Sequence, residues 1–433
     1  MNKITADIAR QLFECAAEAG NSEHKRAYFI DLPDIVLEQA VAIAEDRYKP
    51  QPFTVFAVTD PKLREIFSPA FADRLVQQWL IRHIEPWWDK RFIDDSYANR
   101  RGKGTQAAIT RLQQFMRQPG RRWYCQLDIR AFFPSIDRCI LQRLWRDALP
   151  KLPWPVATRQ RLDQVANAIL MQPPIDPPPL KSGDLLLLAQ VPQHKSLYGA
   201  PPGVGLPIGS LTSQFFANVY LNELDQFVKH TLGVRAYLRY VDDFVLLADN
   251  PQILLIWKSK IEHFLHDLLR LELHPGKVKL QRCNQGIDFL GSIVFPDHRL
   301  VRQRSVRALR RRLAWFKWLV SPHKESPTPK PPTGRWQRWL SEHQVLNAPE
   351  QPTMAFLTRM LSTINSYYGI FGHANTWRLR KHIFQNELGP LRTYFIPEGP
   401  DYRHLQIRQA WLPKPSRTIK TKHKATHKKK PPR

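Results

Sequence analysis

The chain has 433 residues, 43% hydrophobic and 11% aromatic, enough to bury the cores of two or three domains and too apolar for wholesale disorder. Its 65 Lys and Arg against 38 Asp and Glu leave a formal charge of +27, which points to a polyanionic partner, most simply nucleic acid. No apolar stretch approaches the roughly 18–20 residues of a membrane span. The N-terminus has early acidic residues and no apolar signal region, and Cys15, Cys125, Cys139 and Cys283 form no CxxC pair. The expectation is a cytoplasmic protein with no disulfide framework and no zinc site.

Along the chain, helical stretches mix with short strands, an α+β signature. Arg122-Trp-Tyr-Cys-Gln-Leu-Asp-Ile129 alternates with period two: Trp123, Cys125, Leu127 and Ile129 form a buried stripe, and Asp128 points away from it. Prolines cluster at 150–155, 173–179 and 322–332, which predicts linkers or irregular insertions there. The Pro- and Leu-rich stretch 149–198 has no evident role beyond a docking surface for RNA or protein. Gly205, Pro207 and Gly209 make a rigid turn into a helix capped by Ser210 or Thr212, with Leu211, Phe215, Val219, Leu224, Phe227 and Val228 as its buried stripe. Two strands, 234–240 and 244–248, frame Val241-Asp242-Asp243, which predicts a hairpin with both aspartates at its tip. Paired carboxylates framed by apolar strands suggest a divalent cation that neutralises them. From Arg299 to Lys317 there are eight basic residues and no acidic one, with Leu309, Leu313, Phe316 and Leu319 at helical spacing. That predicts a helix with one packed stripe and an electropositive face. Residues 354–385 read as further helices whose aromatics pack a core. Residues 414–433 carry nine basic residues and no acid, leaving +18 for the rest, and read as a disordered basic tail.

Asp128 and Asp242 lie 114 residues apart, and no local pattern joins them. A resemblance supplies the link. Tyr240-Val-Asp-Asp243 resembles the YxDD box of reverse transcriptases, and Gln126-Leu-Asp-Ile-Arg-Ala-Phe-Phe133 their first catalytic block. Asp60-Pro-Lys-Leu-Arg-Glu-Ile66 with Asp73-Arg74, then Gly205-Leu-Pro-Ile-Gly-Ser-Leu-Thr-Ser-Gln214, His274-Pro-Gly-Lys-Val-Lys-Leu280 and Phe289-Leu-Gly291 follow the family's order. The resemblance implies a right-hand polymerase fold: an N-terminal helical segment (1–60), fingers (61–122), a palm with an antiparallel sheet (123–295, insertion about 149–200), a helical thumb (296–400) and a basic tail (401–433).

It further implies RNA-directed DNA synthesis from dNTPs, with two Mg²⁺ ions (or Mn²⁺) clamping attacking and leaving oxygens. Asp128 and Asp242 would bridge the metals, with Asp243 as a further ligand and support. Lys277, on the strand after the hairpin, would protonate pyrophosphate. Phe133 takes the place of the steric gate that excludes ribonucleotides, and Phe132 packs inward. Arg100-Arg-Gly-Lys103-Gly104 pairs flexible glycines with cations fit to close over a triphosphate. Ile208, Gly209 and Gln214 belong to the segment that contacts template and nucleotide. Here Ile208 replaces the usual glutamine and Gln214 a common proline, a form similar to reverse transcriptases of diversity-generating retroelements, which misincorporate opposite adenines. That subtype implies template RNA, nascent cDNA and a small basic accessory protein as partners. The alternatives are a retron-like or antiphage defence enzyme, and a non-catalytic RNA-binding scaffold. No RNase H, integrase or endonuclease pattern is evident after the thumb.

Overall fold

In the computed structural model the chain divides into two units, Met1–Arg299 and Leu300–Arg433. It describes residues 2–18, 30–59, 62–321 and 351–412, with isolated positions between 336 and 347. Among the described residues, no helix is long and apolar enough to cross a membrane.

The first unit opens with α1 (Lys3–Glu18), whose Ile8, Leu12 and Cys15 face inward, and α2 (Leu32–Ala44). An antiparallel hairpin follows, β1 (Thr54–Val58) and β2 (Arg64–Ser68), in register from Thr54↔Ser68 to Val58↔Arg64. Helices α3 (Phe71–Asp89) and α4 (Thr105–Arg117) precede β3 (Trp123–Asp128). The Pro-rich stretch is not one linker. Helix α5 (Arg138–Ala148) precedes it, and its first half forms α6 (Val156–Met171), with Leu152, Leu162 and Val165 in the core. Its second half adds β4 (Leu180–Lys181), parallel to β1.

Helix α7 (Leu211–Gln226) is buried on nearly every side, which explains why a single-stripe reading of it fits poorly. Leu211, assigned to that stripe, is in fact exposed. Strands β5 (Tyr237–Tyr240) and β6 (Asp243–Ala248) make the predicted hairpin, helix α8 (Pro251–Leu269) follows, and β7 (Lys279–Arg282) completes a four-stranded sheet in the order β5-β6-β3-β7. All its pairings are antiparallel. One face carries Cys125, Leu127, Phe244 and Leu246 into the main core. The other carries Tyr124, Leu238, Val245 and Leu247 against α4 and the short strands β8 (Ile287–Phe289) and β9 (Ser292–Val294). The alternation of β3 is therefore real, but both of its faces are covered, and only its two ends, Trp123 and Asp128, are half-buried.

The second unit contains α9 (Gln303–Val320) and α10 (Met354–Gly372). Leu309, Leu313 and Phe316 are buried as the spacing predicts, with Trp315, Phe356, Tyr368 and Phe371 in the same core. Arg304, Arg307 and Arg311 stand exposed on α9, while Arg310 makes a bidentate pair with Glu387. The tail boundary at 401 needs correction. Residues up to 412 are tied in, because Phe395–Pro397 pairs with Leu405–Ile407 and Asn365 exchanges two hydrogen bonds with the Leu405 backbone. The basic tail from 413 and the proline cluster at 322–332 lie outside the described residues.

At the centre of the first unit, Asp225 on α7 and Arg239 on β5 form a bidentate ion pair, both side chains 0% exposed. Tyr237 Oη also donates to Asp225 (2.7 Å). Removing one partner of such a pair strands the other charge and costs about 3–5 kcal/mol. Asp225→Ala should lose that much stability in equilibrium urea unfolding, and the double variant Asp225→Leu/Arg239→Met should lose clearly less. A single-variant loss under about 1 kcal/mol, the range of a surface pair, would refute this weight.

Candidate active site

Cross-strand register does what the sequence alone could not. Asp128 at the end of β3 is paired directly with Asp243 at the start of β6, and Asp243 with Tyr240. The turn between β5 and β6 is therefore only Val241-Asp242. Val241 has φ +57°, a conformation that a β-branched residue adopts only under constraint. Two hydrogen bonds supply the constraint: Arg239 donates to the Val241 carbonyl (3.0 Å), and Ile129 N–H donates to the Asp242 carbonyl (3.2 Å). The second bond brings Asp242 beside the end of β3.

The three aspartates have distinct surroundings. The Asp242 carboxyl is pushed up to about 6, by burial first and then by the negative charge of Asp128, with Lys277 and Arg64 pulling the other way. Asp128 accepts from Lys277 Nζ at 2.6 Å. Asp243 is held by the Gln126 amide at 3.0 and 3.3 Å, and the same amide donates to the Asp288 carbonyl. Asp128 and Asp242 thus share one electrostatic site, and Asp243, directly opposite Asp128 on the same face of the sheet, stands beside it. Lys277 ends a 3-10 turn, Pro275–Lys277, two residues before β7 instead of lying on it.

Phe133 stands half-buried on a single helical turn, Phe132–Ser135, after Ala131 at φ +44°. Its ring meets the buried Phe132 ring edge-on at 5.4 Å. Its carbonyl accepts from Leu206 N–H (2.9 Å), which ties it to the turn before α7. Two residues on, the Ile208 carbonyl accepts from Phe67 N–H of β2 (2.7 Å). Gly209 (φ +121°) has no room for a side chain there: a Cβ would lie 2.7 Å from the Phe67 carbonyl oxygen. Ser210 occupies the cap position, but its hydroxyl bonds Gln77 and Thr212 instead of the helix backbone. Gln214 is half-buried on the first turn of α7.

Arg100 and Lys103 do not join this cluster. The Arg100 guanidinium bonds Asp89 and the carbonyls of Asp89, Ile93 and Ser96, and Lys103 pairs with Asp94 at 2.6 Å. These cations hold their own loop, which corrects the expected cradle. Two other cations, Lys62 and Arg64 of the Asp60–Ile66 block, do reach the carboxylates. Arg64 on β2 acts on Asp242, and the Lys62 ammonium is lowered by partial desolvation and by the charges of Lys277, Arg64 and Lys195, opposed by Asp128. The period-two placing of Lys62, Arg64 and Ile66 on one side of the hairpin was the available signal.

A model of the family described as reverse transcriptase (RNA-dependent DNA polymerase) matches residues 59–294. Protein YkfC of Escherichia coli (strain K12) is 26% identical over 280 residues, covering 56% of this chain and 65% of that one. The group II intron-encoded protein LtrA of Lactococcus lactis subsp. cremoris is 21% identical over 315 residues, covering 58% and 48%. The chain thus spans 48–65% of the length of these relatives. Among solved structures, telomerase from Candida albicans in complex with a TWJ fragment of telomeric RNA aligns with TM-score 0.41 at 9% identity, covering 78% of this chain and 60% of that one. The apo telomerase of Candida tropicalis, truncated from its C-terminal domain, aligns with TM-score 0.41 at 12% identity, covering 58% and 56%. The family match takes in more than half of the chain, including all three aspartates and the hairpin that carries two of them, so the chain belongs to the reverse transcriptase family and has its right-hand polymerase fold.

Proposed function

We propose that the chain is an RNA-directed DNA polymerase that extends a primer on a template RNA with dNTPs. The observation that carries this reading is the meeting of Asp128 and Asp242 at the end of a sheet covered on both faces, with the Asp242 carboxyl raised partly by the charge of Asp128. A binding scaffold gains nothing from two repelling carboxylates facing a polyanion.

The residues fit Mg²⁺. Among the described residues no group of three or more His, Cys, Asp or Glu forms a ready metal cage. Mg²⁺ takes one or two carboxylates and fills the rest of its shell with waters and substrate phosphates, which a two-carboxylate site allows. Asp128 and Asp242 would hold it, and Asp243, engaged by Gln126, orients the strand end. When bound, the metal supplies neutralisation of the charge that develops on the transferred phosphate.

The chain's own groups account for the remaining tasks. Lys62 and Arg64 receive the triphosphate. The primer 3′-oxygen forms a bond to the α-phosphorus while the bond to the β-phosphate oxygen breaks. The hydroxyl proton passes to solvent, and Lys277 Nζ donates a proton to the departing pyrophosphate. Phe133 limits space beneath the sugar. The β3–β6 sheet serves as palm, the β1–β2 hairpin as fingers, and the unit from Leu300 as thumb, whose Arg304, Arg307 and Arg311 track phosphates without reading bases. We assign the enzyme to the diversity-generating type on the Ile208-Gly209-Ser210 form of the segment tied to β2, which offers no long polar side chain at 208. A small basic accessory protein belongs to that assignment.

Asp242→Asn should reduce primer extension roughly a hundredfold or more while template–primer affinity, read by fluorescence anisotropy, stays within about twofold. Retained extension would sink the catalytic assignment. The variant should also change stability. A carboxyl whose folded value exceeds its ordinary 3.8 stabilises the fold at low pH, and that contribution is lost as pH rises through about 6. Asp242→Asn should therefore raise the melting temperature of Mg²⁺-free protein more at pH 8 than at pH 5, and equal shifts would contradict this. Sequencing cDNA copied from a mixed-sequence RNA should find errors concentrated opposite adenines, whereas evenly spread errors would remove the diversity-generating assignment.

A further inference from the structure

The segment 173–200 is longer than the palm requires, and nothing above gives it a task. It is built into the β1–β2 hairpin from both ends. Leu180 N–H donates to the Phe53 carbonyl and Ser182 N–H to the Val55 carbonyl, adding β4 beside β1. Farther on, Ser196 and Leu197 reach β2. The Ser196 hydroxyl donates to Glu65 Oε2 (2.7 Å) and Leu197 N–H to Glu65 Oε1 (2.5 Å). Glu65 is 3% exposed and Ser196 7%. Leu197 closes a small apolar cluster with Phe53, Val55 and Phe67.

Glu65 is an unusual side chain to bury in a short hairpin. No ion pair of Glu65 occurs among the described residues, so its charge rests on two neutral donors from one short stretch of the insertion. Its carboxyl is accordingly raised by burial and lowered by those two bonds. Alternation then fixes what lies opposite: with Glu65 clamped on one face, Arg64 and Ile66 must present the other. Arg64 is the residue whose charge reaches Asp242. The same clamp places Lys195, exposed and one residue before Ser196, where its charge is felt by Lys62.

We propose that the insertion segment 192–198 is part of the nucleotide site: Glu65 is a positioning residue that locks the cationic hairpin edge through Ser196 and Leu197, and Lys195 is a further contact for the triphosphate of the incoming nucleotide. This rests on the polymerase reading above. A neutral clamp suits the purpose, because a cation used to satisfy Glu65 would be withdrawn from the phosphates. Lys195, outside the motif blocks quoted in the sequence, would make triphosphate affinity depend on the insertion.

The test is steady-state extension of oligo(dT) on poly(rA) with dTTP, on the full chain. Lys195→Ala, an exposed change, should raise the KM for dTTP roughly three- to tenfold, the loss of one charge-assisted contact, and alter kcat much less. Glu65→Ala should raise it likewise, with Glu65→Gln falling between because its amide oxygen retains one of the two bonds. Template–primer affinity and melting temperature should stay near wild type for Lys195→Ala. An unchanged KM for dTTP in Lys195→Ala and Glu65→Gln would overturn the proposal while leaving the polymerase reading intact. A proportional fall of kcat and template–primer affinity in Glu65→Ala and Glu65→Gln, with lowered melting temperature and unchanged KM, would reduce Glu65 to a stability role. Absence of extension by the wild-type chain would instead sink the polymerase reading itself.

Discussion

The geometry of the carboxylate site depends on a guanidinium that never touches it. Arg239 is wholly buried, and its charge is tolerable only because Asp225 meets it with two hydrogen bonds. With those bonds made, one donor remains for the Val241 carbonyl and another for Ser96. The first bond holds a valine in the left-handed region and so decides where Asp242 projects. The second draws in the 95–97 segment, whose backbone covers the free edge of β5: Arg239 N–H donates to the Asp95 carbonyl and Tyr97 N–H to the Arg239 carbonyl. Asp95 in turn collects Arg111 and Lys229. A single buried pair therefore fixes both the turn that carries Asp242 and the strand edge beside it.

That arrangement explains why the glycine- and cation-rich loop is structural. Residues 93–98 must bend away from β5 into α4, and Arg100 folds back to bond the carbonyls of Ile93 and Ser96. Composition alone cannot distinguish a guanidinium waiting for phosphate from one closing a loop, because both want unpaired oxygens. The difference lies in Asp89, eleven positions earlier, which α3 brings into reach.

The legible parts of the sequence were those governed by short periods. The alternation of β3, the hairpin around Asp242 and the stripe of α9 all follow from spacing two or spacing three to four. The less legible parts were long-range. Tyr124 and Gln126 lie on the face opposite the predicted buried stripe, yet α4 and the β8–β9 strands cover that face too, and Gln126 spends its amide on Asp243. The proline clusters read as linkers because proline reports local φ, whereas the folding of α6 into the core depends on Leu162 and Val165 meeting partners far along the chain. Lys62 and Arg64 sat in a quoted motif with no role, since only the fold shows which carboxylate faces them.

A very basic protein must keep its few acids from quenching its cations, and three carboxylates here show how. Asp243 accepts from the Gln126 amide, and Glu65 from a hydroxyl and a backbone N–H. Asp242 has its own backbone N–H, and burial together with the charge of Asp128 outweighs that bond and raises its affinity for protons. Neutral donors satisfy a carboxylate without drawing a positive charge toward it, so Lys62 and Arg64 keep their field directed at the opening. Asp128 is the exception, since it holds Lys277. A cation already seated on that carboxylate marks where positive charge is stabilised, and exchange of Lys277 for a metal there would free the ammonium for a leaving phosphate. The exposed cations set the attraction for nucleic acid, while the neutral hydrogen bonds behind them decide which acids remain available for chemistry.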